Sequence, residues 1–118
     1  MPLDPTLALE SYCYLTTAGR VTGNPHTIEI WFALVDNTLY LLAGGHRSDW
    51  VLNLRRQPNV SVRLRDTTYD ATARLVTDPA EDALARRLLL AKYATYGGDL
   101  TGWGRTALPV ALDISSGP

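Results

Sequence analysis

The chain contains one cysteine, Cys13, among its 118 residues. No internal disulfide can form, and a zinc site of the paired-cysteine kind is excluded. Histidine is almost as scarce: only His26 and His46 occur, and they are not spaced as a metal pair. There is no HExxH, CxxC or GxSxG, so neither a metal centre nor a nucleophile beside its base is visible. Lysine is reduced to Lys92, and the other ten basic residues are arginine. Against twelve acidic residues the net charge is -1, which gives no basic footprint for nucleic acid. No apolar run reaches the roughly 18 residues that span a bilayer. The opening MPLDPTLALE has no basic region ahead of its apolar residues, as a signal peptide would. These absences predict a cytoplasmic protein without integral membrane segment or nucleic-acid partner.

What is present suits one packed domain over residues 1–118: hydrophobic residues make up 46% and charged residues 19%. Asp4-Pro5 opens a short helical start, Thr6 to Ser11. Tyr12 to Thr17 is rich in aromatic and β-branched residues and reads as a strand. The turn segment AGRVTGNP follows, then HTIEIWFALV, read as one strand over His26 to Val35. It puts His26, Ile28, Ile30, Phe32 and Leu34 on one face and Thr27, Glu29, Trp31 and Ala33 on the other. Asp36-Asn37 makes a tight hairpin turn into the strand Thr38 to Ala43.

A Gly-Gly turn then leads to a helix over Asp49 to Arg56, with Ser48 as N-cap and Trp50, Val51 and Leu54 buried. Val60 to Arg65 and Tyr69 to Thr77 read as strands. Asp78-Pro79 starts the longest helix, Pro79 to Thr95, stopped by Gly97-Gly98. Ala107 to Ile114 is the last strand, and its Pro109 calls for an edge or bulge position. Strands arranged in hairpins predict an α+β, mainly β fold: about six antiparallel strands, closed as a small barrel, with two main helices.

Three stretches carry chemistry. LLAGGHRSDW places a strand, a glycine turn, Arg47 and a helix N-terminus in succession, a pattern that favours an anion as readily as a plain tight turn. TTAGRVTGNPH projects Arg20 from a loop, with His26 just beyond. The aromatics Trp31, Trp50, Tyr93, Tyr96 and Trp103 gather near these loops, suited either to core packing or to gripping a planar ring. Tyr96 to Arg105, with four glycines around Trp103, looks like a mobile loop able to cover a pocket. Cys13, in a strand among aromatics, reads as an inert buried thiol.

Taken in order, the segments LTTAGRVTGNPHTIEIWF, LLAGGHRSDWVLNL and QPNVSVRL, with the terminal RTALPVALD, resemble the deazaflavin-dependent nitroreductase family, whose enzymes use coenzyme F420. The resemblance implies a split β-barrel related to the FMN-binding fold of pyridoxamine-phosphate oxidases. It implies hydride transfer from reduced F420 to a small, flat hydrophobic acceptor such as a quinone, enone or nitroaromatic. By motif match, Arg20, Thr22 and His26 lie nearest the cofactor. Gly45, Arg47 and Ser48 hold its phosphate, and Trp50 and Asn53 line its channel. Trp31, Tyr96 and Trp103 face the substrate, and His26, Tyr93 or Tyr96 supplies a proton. Val21 stands where the family often has a second cation. Alternatives on the same barrel are an FMN-binding oxidoreductase or a non-catalytic flavin or haem module. A homodimer is expected, because the Thr27-Glu29-Trp31 face needs cover.

Overall fold

The structure is a computed structural model and describes residues 3–45, 47–96 and 100–116. Seven strands run in the order β1 (Cys13–Ala18), β2 (Pro25–Ile30), β3 (Ala33–Val35), β4 (Thr38–Ala43), β5 (Asn59–Leu64), β6 (Thr67–Leu75) and β7 (Leu108–Ser116). Three helices join them: α1 (Asp49–Arg56), α2 (Pro79–Lys92) and the short α3 (Thr101–Thr106). A 3-10 turn over Pro5–Leu9 precedes the sheet, with the Asp4 carboxylate accepting from Thr6 N at 2.9 Å.

All seven strands pair antiparallel in one sheet, in the order β2-β1-β5-β6-β7-β4-β3. The two edges, β2 and β3, are consecutive in the chain, with only Trp31 and Phe32 between them. Two residues bridge about 10 Å at most, whereas the edges of a flat seven-strand sheet lie roughly 29 Å apart at the usual strand spacing. The sheet therefore curls until its edges meet at Trp31-Phe32 and stays open elsewhere, as a split barrel. This is the expected fold, with one strand more. The continuous strand read over His26 to Val35 breaks at Trp31-Phe32, because its two halves serve opposite edges.

Side-chain alternation then builds two cores. Leu39 and Leu41 of β4 and Val110 and Leu112 of β7 point inward, with Leu15, Val62 and Leu64, and all are fully buried. Tyr40, Leu42 and Ala111 point outward against Ala85, Leu89 and Tyr93 at the back of the sheet. Burial on both faces explains the unbroken apolar run TLYLLA. α1 sends Leu54 into the inner core.

Pro109 is buried in β7, between β4 and β6, and not at a sheet edge. Its carbonyl accepts from Val76 N at 3.1 Å, just past the end of β6 at Leu75. A residue's N and O face the same neighbour, so the missing N–H falls where no ladder partner is needed. α2 stops at Lys92, three residues before the expected end, and Gly97-Gly98 lie outside the described residues.

One polar knot ties the helix side to the sheet. Arg74 donates to both Glu81 oxygens, at 2.7 Å each, and to Asp113 at 2.7 Å. The Tyr40 hydroxyl donates to Glu81 at 2.6 Å. The Arg74 hydrogen bonds, with Tyr40's, hold the Glu81 carboxyl down at about 2. Its contribution to stability is present above the ordinary carboxyl range and is lost as pH falls toward that value. Arg74→Met should lower unfolding stability at pH 7 by about 1–2 kcal/mol, the charged hydrogen-bond range reduced for solvent screening. It should also flatten the acid limb of a stability-pH profile measured by urea unfolding.

Candidate active site

The opening of the barrel beside β2 is plugged by α1. Between them, against the β1–β2 loop, lies a cavity of about 660 Å³. Its walls include Thr17, Arg20, Thr22, His26, Asp49, Trp50 and Asn53. Five of the residues expected at the cofactor thus converge: Arg20, Thr22, His26, Trp50 and Asn53. The loop is held in shape by hydrogen bonds between Gly19 N and Asn24 O and between Gly23 N and Gly19 O, each 2.8 Å. Gly23 sits at φ +80°, and a Cβ on Gly19 would come within 2.8 Å of the His26 imidazole. Both glycines are required here, one for its backbone angle and one for close approach.

Asn53 organises the cavity. It is 3% exposed. Its Oδ1 accepts from the Arg20 backbone N at 3.2 Å and from Arg20 Nη1 at 2.9 Å. Its Nδ2 donates to the hydroxyl of buried Thr17 at 3.2 Å. Arg20 Nη2 also meets Asp49 at 3.2 Å. Asp49 reads in the sequence only as a helix-dipole residue, and Thr17 only as a strand residue. The loop connection that joins them to Arg20 has no local signal.

Gly45, Arg47 and Ser48 are not among the lining residues of this cavity. The Ser48 hydroxyl donates to Gly45 O at 2.8 Å and makes no side-chain cap to α1. His46 lies outside the described residues.

Farther along β2 is a second cavity of about 390 Å³, walled by Tyr12, Glu29, Ile30, Trp31, Leu42 and Trp103 among others. Of the three residues expected on the substrate side, Trp31 and Trp103 line it and Tyr96 does not. Trp31 stacks flat on Tyr93, with ring centres 4.2 Å apart at 3°, and meets Tyr96 and Trp103 edge-on at 5.4 and 5.7 Å. Trp103, expected in a loop, is helical. It belongs to α3, half-buried against the outer core, where Arg86 Nη1 donates to Gly104 O at 2.8 Å. α3 packs closely because Gly104 leaves room for Leu90, whose side chain would lie 2.7 Å from an added Cβ.

Tyr93 is not an available proton donor. It is fully buried, and its hydroxyl accepts from Phe32 N at 3.0 Å and donates to Ser11 O at 2.8 Å. Burial raises it to about 12. Phe32 lies between the two edge strands and needs partners for its backbone; Tyr93 and Lys92 supply them. Lys92 Nζ donates to Phe32 O at 2.9 Å and sits 3.7 Å from the Phe32 ring centre. Cys13 is fully buried, its thiol raised to about 12 by burial, in keeping with an inert thiol.

Burial lowers the Lys92 ammonium to about 8. The native state therefore binds fewer protons than the unfolded chain between that value and the ordinary lysine range. The Lys92 contribution should appear as the difference in stability between wild type and Lys92→Met in chemical denaturation measured at each pH. That difference should shift in favour of wild type as pH climbs from about 8 toward 10, while the raised Cys13 and Tyr93 act in the opposite direction in both proteins.

A curled antiparallel sheet with an arginine-bearing cavity and an aromatic cavity along one edge is a split barrel. The family model described as F420H(2)-dependent quinone reductase matches residues 5–114. The chain belongs to that family and is an F420-dependent oxidoreductase. Solved structures share the fold. The F420-H2 dependent reductase FDR-A superposes with TM-score 0.73 at 21% identity, over 88% of this chain and 95% of its own. A FAD-binding protein from Mesorhizobium loti gives 0.73 at 16%, over 98% and 91%. HutZ, the heme storage protein from Vibrio cholerae, gives 0.71 at 20%, over 99% and 93%. No helix among the described residues is long and apolar enough to cross a membrane.

Proposed function

We propose that this reductase acts on a small, flat hydrophobic acceptor bound against the Trp31-Trp103 wall. The carrying observation is that both cavities lie along β2, an arginine in one and an aromatic corner in the other. The residues suit a long cofactor with a planar ring and an anionic tail. Arg20, with Thr22 and His26, would take the tail, and Arg47 at the head of α1 offers a second cation. Trp50 lines the first cavity, and the Trp103 indole covers Gly44, where an added Cβ would meet it at 3.8 Å. When bound, reduced F420 supplies the hydride. The chain's own work is to grip, orient and exclude water. With Tyr93 committed to the backbone, Tyr96, whose ring meets Trp31 and whose hydroxyl pairs with Ser11 Oγ at 2.8 Å, is the candidate nearest the acceptor for giving it a proton, while His26 stands with Arg20 in the first cavity.

The partner reading is a homodimer. The outward residues of β1, β2 and β5 carry no helix and are half-buried or exposed: Tyr14, Thr16, Thr27, Glu29, Ser61 and Arg63. They already pair among themselves, Tyr14 to Glu29 at 3.0 Å and Arg63 over the Tyr14 ring at 4.3 Å. Such a face presents both signs of charge and complements its own copy under a two-fold axis. A cytoplasmic location agrees with the single, unpaired Cys13.

Titration with F420 and FMN side by side should show tighter F420 binding, weakened about tenfold or more by Arg20→Ala; FMN as the tighter ligand would reverse the cofactor preference. Trp103→Ala should raise KM for menadione several-fold at unchanged F420 affinity; an unchanged KM would move the acceptor elsewhere. Sedimentation should show a dimer that Arg63→Glu dissociates. A single 13.0 kDa species would reject the dimer.

A further inference from the structure

Arg20 has two side-chain partners of opposite character. Asn53 is buried and takes both the backbone N–H and one guanidinium nitrogen. Asp49 has a side chain 87% exposed and takes the other terminal nitrogen at 3.2 Å. The first contact is fixed by packing, because Asn53 is itself anchored on Thr17. The second lies at the cavity wall in water, where an ion pair is weak and easily exchanged. A carboxylate in this place is unexpected for a surface that must receive an anion. It occupies the nitrogen that a ligand anion would use.

We infer that Asp49 is a displaceable counterion of Arg20, a specificity-determining residue that an incoming phosphate or carboxylate must replace, while Asn53 positions the guanidinium to receive it. This rests on the reading of the first cavity as the cofactor's anionic subsite. The device has two consequences. In the free protein Arg20 stays oriented, so binding does not have to order it. Each incoming anion must also outcompete an internal one, which favours ligands carrying more than a single weak charge. The exchange is non-covalent: the Arg20–Asp49 ion pair opens, the Arg20–ligand ion pair forms, and the Asp49 carboxylate returns to solvent.

The experiment is a double-mutant cycle on ligand binding. Oxidised F420 is titrated into wild type, Asp49→Asn, Arg20→Gln and the double variant, at low and at high salt. Asp49→Asn should tighten F420 about two- to fivefold at low salt, the equivalent of one exposed ion pair, and the gain should vanish in the Arg20→Gln background. Equal affinity of wild type and Asp49→Asn overturns the inference. So does a gain that persists without Arg20, which would make Asp49 a general repulsive charge. Asn53→Ser, a small polar replacement, should weaken F420 binding while Arg47→Gln, in the turn before α1, leaves the Asp49 effect in place. The same four proteins are titrated calorimetrically with inorganic pyrophosphate. If F420 fails to bind wild type but pyrophosphate binds and responds to Asp49→Asn only when Arg20 is present, the receptor stands and the cofactor reading falls. If neither ligand binds any of the four, the inference falls as well.

Discussion

Everything in this fold depends on the two-residue connection Trp31-Phe32. It forces the two edges of a seven-strand sheet to meet at one point, and so curls the sheet. A connection that short cannot also be part of the sheet, so its backbone groups must be satisfied from outside. The end of α2 does this. Tyr93 serves both the N–H and the carbonyl of Phe32, and Lys92 serves the carbonyl again. Leaving such groups unpaired in a buried place would cost on the order of 1–3 kcal/mol each.

The same connection shapes the site. Away from Trp31-Phe32 the barrel is open, and α1 enters the opening with Trp50 and Asn53 toward the β1–β2 loop. At the connection itself Trp31 is held flat on Tyr93, and the aromatic corner grows from that stack. The same stretch of sheet edge thus carries an arginine-bearing cavity beside the β1–β2 loop and an aromatic cavity beside Trp31. In the proposed function the first receives the cofactor's anionic tail and the second the flat acceptor.

Electrostatics divides along the same lines. The Arg74-Glu81-Asp113 knot, with Tyr40, closes the back of the sheet under α2 and serves the fold. Arg20 is the arginine drawn into the opening, and its guanidinium is held by a buried amide and an exposed carboxylate rather than by two carboxylates. The first arrangement is saturated. The second keeps one of its two contacts at the water-exposed Asp49.

By itself the sequence determined what local chemistry dictates. Alternation set which faces of β5 and β6 are core, Asp78-Pro79 started α2, and the ordered loop motifs pointed to the family and to Arg20, His26, Trp50 and Asn53. Only the tertiary structure decided what depends on distant partners. HTIEIWFALV has the periodicity of one strand, and nothing in it shows that Trp31-Phe32 must turn from one sheet edge to the other. Tyr93 looks like any helix-end tyrosine until Phe32 and Ser11 claim its hydroxyl. Trp103 reads as a loop residue until Trp31 and the outer core fix it. Asp49 reads as a first-turn carboxylate facing the helix dipole until the β1–β2 loop brings Arg20 beside it. In each case the deciding contact spans a long stretch of chain, and closing that loop is a property of the whole curled sheet rather than of any segment.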